Sequence, residues 1–294
     1  MGRLRSAILV ATAVGAVLAV SAGLAGCGGG GGVPPLSIVL AASTNTVAAR
    51  TASVHVSTII TPNAAAPANP VLNGQPLVGD GKEDFGAHVA TVTVQVPRAG
   101  SIEVVYSGHV IYERIPQLAA QTGKAWVKID LDNLGKRAGV SGLSSLAQGS
   151  GGDPSEGLSY LRGAVGAVVT AGHEKVRGVQ TTHYKATTDV NRAAAQLPVA
   201  QQATTKQISD QFGITTIPVE VWIDAQGRAR RVQITIVYSG AHLPAGFPAN
   251  ALPQRVESTA EFYDFGTPVS VTVPPADQAA DLAQLAGQGG SRPS

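Results

Sequence analysis

The chain has 294 residues, 4% of them aromatic, a single cysteine, and 21 Lys+Arg against 19 Asp+Glu. One cysteine excludes a disulfide within the chain, and the small net charge removes the electrostatic case for nucleic-acid binding. The length suffices to bury a large core without covalent staples.

The chain opens with Arg3 and Arg5, an apolar run from Ala7 to Ala22, and then Leu24-Ala25-Gly26-Cys27 followed by five glycines. A basic start, a short apolar core and small residues before a cut form a secretory leader. The apolar run falls short of the ~20 residues a membrane-spanning helix needs. The thiol directly after the small residues fits a lipoprotein signal at residues 1–26, with Cys27 as the acceptor of a diacylglyceryl group. Loss of Arg3 and Arg5 with the leader would leave 19 basic against 19 acidic residues, a formally neutral protein. Residues 27–35 then read as a lipidated, Gly-rich tether.

Leu36, Leu40 and Val47 stand at helical spacing, predicting a helix over 36–50. Strand signals follow. Val54–Ile60 alternates, residues 61–76 are Pro/Asn/Ala-rich and read as a loop, and Gly79-Asp80-Gly81 reads as a turn. His88–Val96 puts Ala90, Val92, Val94 and Val96 on one face. Ile102–Tyr106 and Val110–Ile115 flank the turn Ser107-Gly108-His109, and Ala125–Leu131 is a further strand. Residues 141–152 are Gly/Ser-rich. Asp153-Pro154 then opens a helix with Leu158, Leu161, Val165 and Val168 as its apolar stripe. Glu174–Val176 and Gln180–Thr188 read as a hairpin about Arg177-Gly178, and 191–212 as helix interrupted at Pro198. Pro218–Asp224, Arg230–Tyr238 and Arg255–Asp264 alternate apolar and polar residues strictly. Pro268–Val273 reads as a last edge strand and the tail 276–294 as frayed.

Short connections between alternating strands predict a large antiparallel sheet with one face covered and one wet, and two or three helices to cover it. No linker after residue 33 divides the chain, so residues 36–275 are expected to form one α+β domain.

Catalytic and metal signatures are missing. The six histidines are His55, His88, His109, His173, His183 and His242, and none stands two to five residues from another, the local spacing of shared metal ligands. Gly-x-Ser-x-Gly and Ser-x-x-Lys do not occur. Asp80, Glu83 and Asp84 read as an acidic turn with too few ligands for a calcium loop. Glu113, Glu220, Glu257 and Glu261, beside Arg114, Arg230 and Arg231, read as ion pairs on the wet face. The expectation is a non-enzyme with no cofactor and no metal. The predicted inward positions Ala90, Ala186, Thr188, Ser258 and Ala260 are small. A wide sheet lined by small side chains either interdigitates in an ordinary core or leaves room for an apolar ligand.

Four segments carry a resemblance to a known family. They are Tyr160-Leu161-Arg162-Gly163-Ala164, residues 176–184 (Val-Arg-Gly-Val-Gln-Thr-Thr-His-Tyr), residues 217–224 (Ile-Pro-Val-Glu-Val-Trp-Ile-Asp) and Tyr263-Asp264-Phe265-Gly266. Together with the cysteine-bearing leader they resemble the LppX/LprAFG family of actinobacterial lipoproteins. The resemblance implies a half-barrel sheet wrapped around helices, similar to the LolA/LolB carriers. It also implies an apolar cavity holding acylated lipid or glycolipid. The loops at 61–76 and 141–152 depart from the family pattern.

The expected fold is therefore an antiparallel half-barrel with helices on its concave apolar face. The expected wall is Val104, Tyr106, Val127, Ile129, Leu161, Val165, Val219, Val221, Val232, Ile234 and Phe262. The expected partners are an acylated lipid or glycolipid, the membrane through a lipid anchor on Cys27, and an envelope transporter, with no nucleic acid. The expected address is the extracytoplasmic face of the cell membrane. The competing reading keeps the fold but packs the core, with Trp222 exposed on the wet face as a contact for another envelope protein.

Overall fold

The computed structural model describes residues 34–64, 74–97, 100–116, 119, 122–137, 168–195, 199–239 and 253–282. Residues 1–33 with the expected leader and Cys27, the helix expected from Asp153 as far as residue 167, the 141–152 segment and His242 lie outside them, as does most of the 61–76 loop. Val168, expected in that helix, instead directly precedes the strand Val169–Val176.

Twelve strands form one open sheet in the order β12-β6-β5-β4-β3-β2-β1-β11-β10-β9-β8-β7. Along the chain these are β1 (Thr51–Thr61), β2 (Pro76–Asp84), β3 (Val89–Val96), β4 (Gly100–Ser107), β5 (Val110–Arg114), β6 (Trp126–Asp130), β7 (Val169–Val176), β8 (Val179–Asp189), β9 (Thr216–Asp224), β10 (Ala229–Val237), β11 (Arg255–Tyr263) and β12 (Ala279–Asp281). Every pairing is antiparallel except β12 on β6. Two meanders, β2 to β6 and β7 to β11, are joined through β1, which pairs with both β2 and β11. The fold is the expected α+β half-barrel.

Period-two alternation sets the faces. In β1 the buried positions are Ala52, Val54, Val56, Thr58 and Ile60; in β11 they are Val256, Ser258, Ala260 and Phe262. These and their cross-strand partners form one continuous inner cluster. Burial of apolar side chains on this face is the main favourable term for the fold, at roughly 25 cal/mol per Å2.

Helix α1 (Pro35–Ala48) starts with proline in its first turn, where the missing N–H costs nothing. It packs on β9 and β10. Thr46 Oγ1 accepts the Ala229 N–H at 2.9 Å, and Asn45 Nδ2 donates to the Gly227 carbonyl at 3.2 Å. These bonds pin the helix to the β9–β10 turn, whose Gly227 has φ +73°. Helix α2 (Leu131–Arg137) follows β6 directly. Helices α3 (Val190–Ala195) and α4 (Val199–Phe212) pack on each other, and Asp189 Oδ1 caps α3 by accepting the Arg192 N–H at 3.0 Å. The Val176-Arg177-Gly178-Val179 hairpin turn has φ of 48° and 81° at its two central residues. Both positive values match the right-handed twist of the flanking strands.

Three sequence expectations are corrected. Gly79-Asp80-Gly81 is not a turn but the middle of β2, paired on both sides. Pro268–Val273 is not a strand. The stretch after Pro275 supplies the edge strand instead: β12 adds to β6, and Leu282 is buried in the core. The glycine correction has a physical cause. A Cβ on Gly81 would press into the Thr91 carbonyl oxygen and lie 2.8 Å from the Val92 Cα. A Cβ on Gly79 would lie 2.9 Å from the Thr93 carbonyl oxygen. Glycine is used here for a tight approach of β2 to β3, not for a reversal of the chain.

Candidate functional site

The inner face is built from the sheet upward. On the β7–β11 side, Val219, Ile234 and Ser258 are cross-strand neighbours, as are Val221, Val232 and Ala260. Phe262 pairs with Val54 and packs against Phe85, ring centroids 6.0 Å apart. On the β2–β6 side, Val104 faces Val92, and Ile129 faces Ile111, which faces Tyr106. Of the expected wall residues, Val104, Tyr106, Val127, Ile129, Val219, Val221, Val232 and Phe262 are buried in the inner cluster, and Ile234 packs against it half-buried. Leu161 and Val165 lie outside the described residues. The small inward positions Ala90, Thr188, Ser258 and Ala260 are buried as well. Thr58 and Ser258 hydroxyls stand 3.4 Å apart within this face.

Two inward residues contradict the sequence reading. Glu113 was expected on the wet face beside Arg114. It faces inward between Val104 and Val127 and is 3% exposed. Arg114 pairs outward with Glu103 instead, at 3.6 Å. Glu83, expected in an acidic turn, lies inward in β2 and is 6% exposed. Burial pushes both carboxyls up to about 8, since the charged form has lost its water. Tyr106 is raised as well, by burial first and by the neighbouring Glu113 second. The signal for Glu113 was in its phase: Ile111, Glu113 and Ile115 share one side of the strand. For Glu83 the phase runs Leu77, Gly79, Gly81, Glu83, Phe85, and the glycines hid it.

The outer face has the opposite character. Trp222 is 5% exposed, not the exposed residue the competing reading needed. Its ring stacks on His183 at 4.0 Å and 10°, Arg231 lies 5.0 Å over its centroid, and its Nε1 donates to Glu174. Arg231 bonds Glu261 at 2.7 and 2.9 Å, and Arg177 bonds the other oxygen of Glu261 at 2.8 Å while covering Tyr263. His183 Nε2 and Glu220 are 2.7 Å apart, and Lys185 reaches the same carboxylate at 3.1 Å. The ladder therefore crosses β7 to β11 with each charge answered. Asp224 closes the β9–β10 turn, accepting from the Gln226 and Arg228 N–H groups at 2.9 Å each and from Arg230 Nε at 2.7 Å. Burial opposes its ionisation. The bonds from the Arg228 backbone, Arg230 and the Arg228 side chain outweigh that and hold it below the usual carboxylate range.

The other histidines make ordinary polar contacts: His55 with Asp80 at 2.8 Å, His109 with Asp132 at 3.0 Å, and His173 with Thr182 at 3.2 Å. Among the described residues no cluster of three or more His, Cys, Asp or Glu could hold a metal ion, and no helix is long and apolar enough to cross a membrane.

No family model matches the chain. It is 30% identical over 199 residues to an uncharacterized 31.2 kDa protein encoded in the rplA–rplJ intergenic region of Streptomyces griseus. That match takes in 66% of this chain and 61% of the Streptomyces protein, under two thirds of its length. Among solved structures, the chain is similar to the Mycobacterium tuberculosis lipoprotein LppX, with TM-score 0.44 and 13% identity over 81% of this chain and 98% of that one. It is also similar to LprF from Mycobacterium bovis, with TM-score 0.38 and 14% identity over 82% and 96%. LppX and LprF belong to the group that the sequence segments resemble.

Proposed function

We propose that the protein is an extracytoplasmic lipoprotein, anchored through Cys27, that binds an acylated lipid against the inner face of its half-barrel and carries or presents it. The observation that supports this most is the one-sidedness of the sheet. An apolar face runs from β6 to β9, interrupted by the carboxyls of Glu83 and Glu113, while the ion pairs that cross β8 to β11 point the other way. Such a face takes up ligand by partition rather than by chemistry. Each buried methylene of an acyl chain contributes about 0.8 kcal/mol, so ten or more offset the cost of leaving a bilayer. The leader suits this reading, because it would place the face beside a membrane. An envelope transporter is the partner such a carrier would meet.

The competing reading, a protein-contact module built on an exposed Trp222, loses its motivating residue to the stack with His183 and Arg231. Native mass spectrometry of the full-length protein, purified in mild detergent from an actinobacterial host, tests the proposal. The expected result is protein carrying one or more acylated lipids. Ligand-free protein under conditions that preserve lipid on a known carrier would overturn it. In parallel, Cys27→Ala should move the protein out of the membrane fraction, and unchanged fractionation would remove the anchor from the proposal.

A further inference from the structure

Three polar groups of the first meander stand on the apolar inner face without an evident task. The inward row across the first meander reads Ala52, Glu83, Ala90, Tyr106, Ile111, Ile129, from β1 to β6. Glu113 stands one pair further along, between Val104 and Val127. Glu83, Tyr106 and Glu113 are 6%, 3% and 3% exposed. Glu83 Oε2 and Tyr106 Oη are buried with no hydrogen-bond partner. The neighbours explain why. Glu83 is framed on its face by Ala52, Ala90, Gly81 and Phe85, and Tyr106 by Ala90, Ile111 and Val104. Apart from Glu113, which stands diagonally from Tyr106 without bonding its hydroxyl, none of the side chains beside them can donate or accept. The cations of these strands, Lys82, Arg114 and Lys128, are in the opposite phase, and no lysine or arginine is buried among the described residues.

A buried carboxyl oxygen and a buried phenol left without partners lower stability, and native proteins seldom keep such groups without a use. Ala90 is the only residue between Glu83 and Tyr106 in the row, so the two face each other across a single small side chain. Their backbones are about two strand spacings apart, roughly 9–10 Å.

We infer that Glu83, Tyr106 and Glu113 form a recognition row that receives an uncharged, hydroxyl-bearing head of the bound lipid and turns a phosphate head away. The inference rests on the lipid-binding reading and specifies which part of the lipid the row meets. A protonated carboxyl and a phenol each offer one donor and acceptor lone pairs, the complement of an alcohol. A phosphate brings negative charge beside two carboxyls with no arginine or lysine to receive it, where charge-assisted partners are what phosphate needs. Burial keeps the two carboxyls largely protonated at neutral pH, since both are raised to about 8.

The test uses three lipids with the same acyl chains: a diacylglycerol, the matching phosphatidic acid, and the matching trimethylammonium-propane diester. They are presented together in mixed micelles to full-length wild type, Tyr106→Phe, Glu83→Leu and Glu83→Gln, and the bound lipids are counted by native mass spectrometry. Wild type should favour diacylglycerol over phosphatidic acid by about tenfold or more, the discrimination expected when a polar site is matched or mismatched. Tyr106→Phe and Glu83→Leu should cut that ratio to within about threefold. Glu83→Gln keeps an uncharged hydrogen-bonding group and should retain most of the preference, which guards against a Leu variant that fails to fold. A wild-type preference for phosphatidic acid or for the cationic lipid overturns the inference, as does a preference that the Phe and Leu variants leave unchanged. Equal uptake of all three lipids by wild type overturns the recognition row alone. Uptake of none overturns the lipid-binding reading and the row with it.

Discussion

The two meanders obey the same alternation and use it in opposite ways. From β7 to β11 the buried part of the inner face is apolar apart from hydroxyls such as Thr188 and Ser258, and the ion pairs stand outside. From β2 to β6 two carboxyls and a phenol stand inside, and the outer pairs are sparse. The first arrangement is a way to make a rigid wall. Its outer ladder fixes register, and α1 is bolted to its β9–β10 turn. The second arrangement lowers stability and is understandable only if the face serves something other than packing.

The largest expected effect comes from the close β2–β3 approach inside the first meander. Gly81→Ala would force the β2–β3 pairing apart, because the atoms in the way are backbone and cannot swing aside. A loss of about 3 kcal/mol or more is expected, measured by urea unfolding. A change under about 1 kcal/mol would mean the approach is slack.

Next is the wall of the second meander. Asp224→Asn keeps the shape of the β9–β10 turn but leaves Arg228 and Arg230 without their carboxylate. We expect about 2–4 kcal/mol of destabilisation near neutral pH. The folded Asp224 is held below its unfolded value, so its contribution is present above the unfolded value and fades as pH falls through the folded one. The gap between variant and wild type should therefore narrow in acid, and a gap that widens there would contradict the assignment.

The smallest effect has the opposite sign. Glu83 and Glu113 are raised from 4.5 to about 8 in the folded protein. A raised carboxyl contributes stability below its unfolded value, and that contribution is lost as pH climbs through the folded one. Glu113→Gln should match wild type near pH 5 and be more stable by about 1–3 kcal/mol at pH 8.5. An equal difference at both pH values would show that burial does not hold the acid neutral.

Much of the sheet was legible because period-two patterning needs no tertiary knowledge. The alternations at 88–96, 218–224, 230–238 and 255–264 named their strands and their inner residues. The Arg177-Gly178 hairpin was legible too, since few dipeptides accept two positive φ values. Gly79 and Gly81 were not. Glycine serves a reversal or a close approach equally well, and only the partner strands distinguish them. Glu113 was misplaced because polarity was allowed to overrule phase, whereas Trp222 stands on the expected face and was misjudged only in its exposure. A glutamate between two isoleucines of the same phase is inward whatever its charge, and a tryptophan out of phase can still be buried by His183 and Arg231.

The sequence by itself determined the one-sided sheet and the small lining of its inner face, because both depend on local order along the chain. Tertiary structure alone decided that β1 joins two meanders, that the tail after Pro275 closes an edge, and that two carboxyls and a phenol share one buried surface. Those facts depend on which strands meet, and pairing over long separations is decided by the packing of whole faces, which no local pattern records.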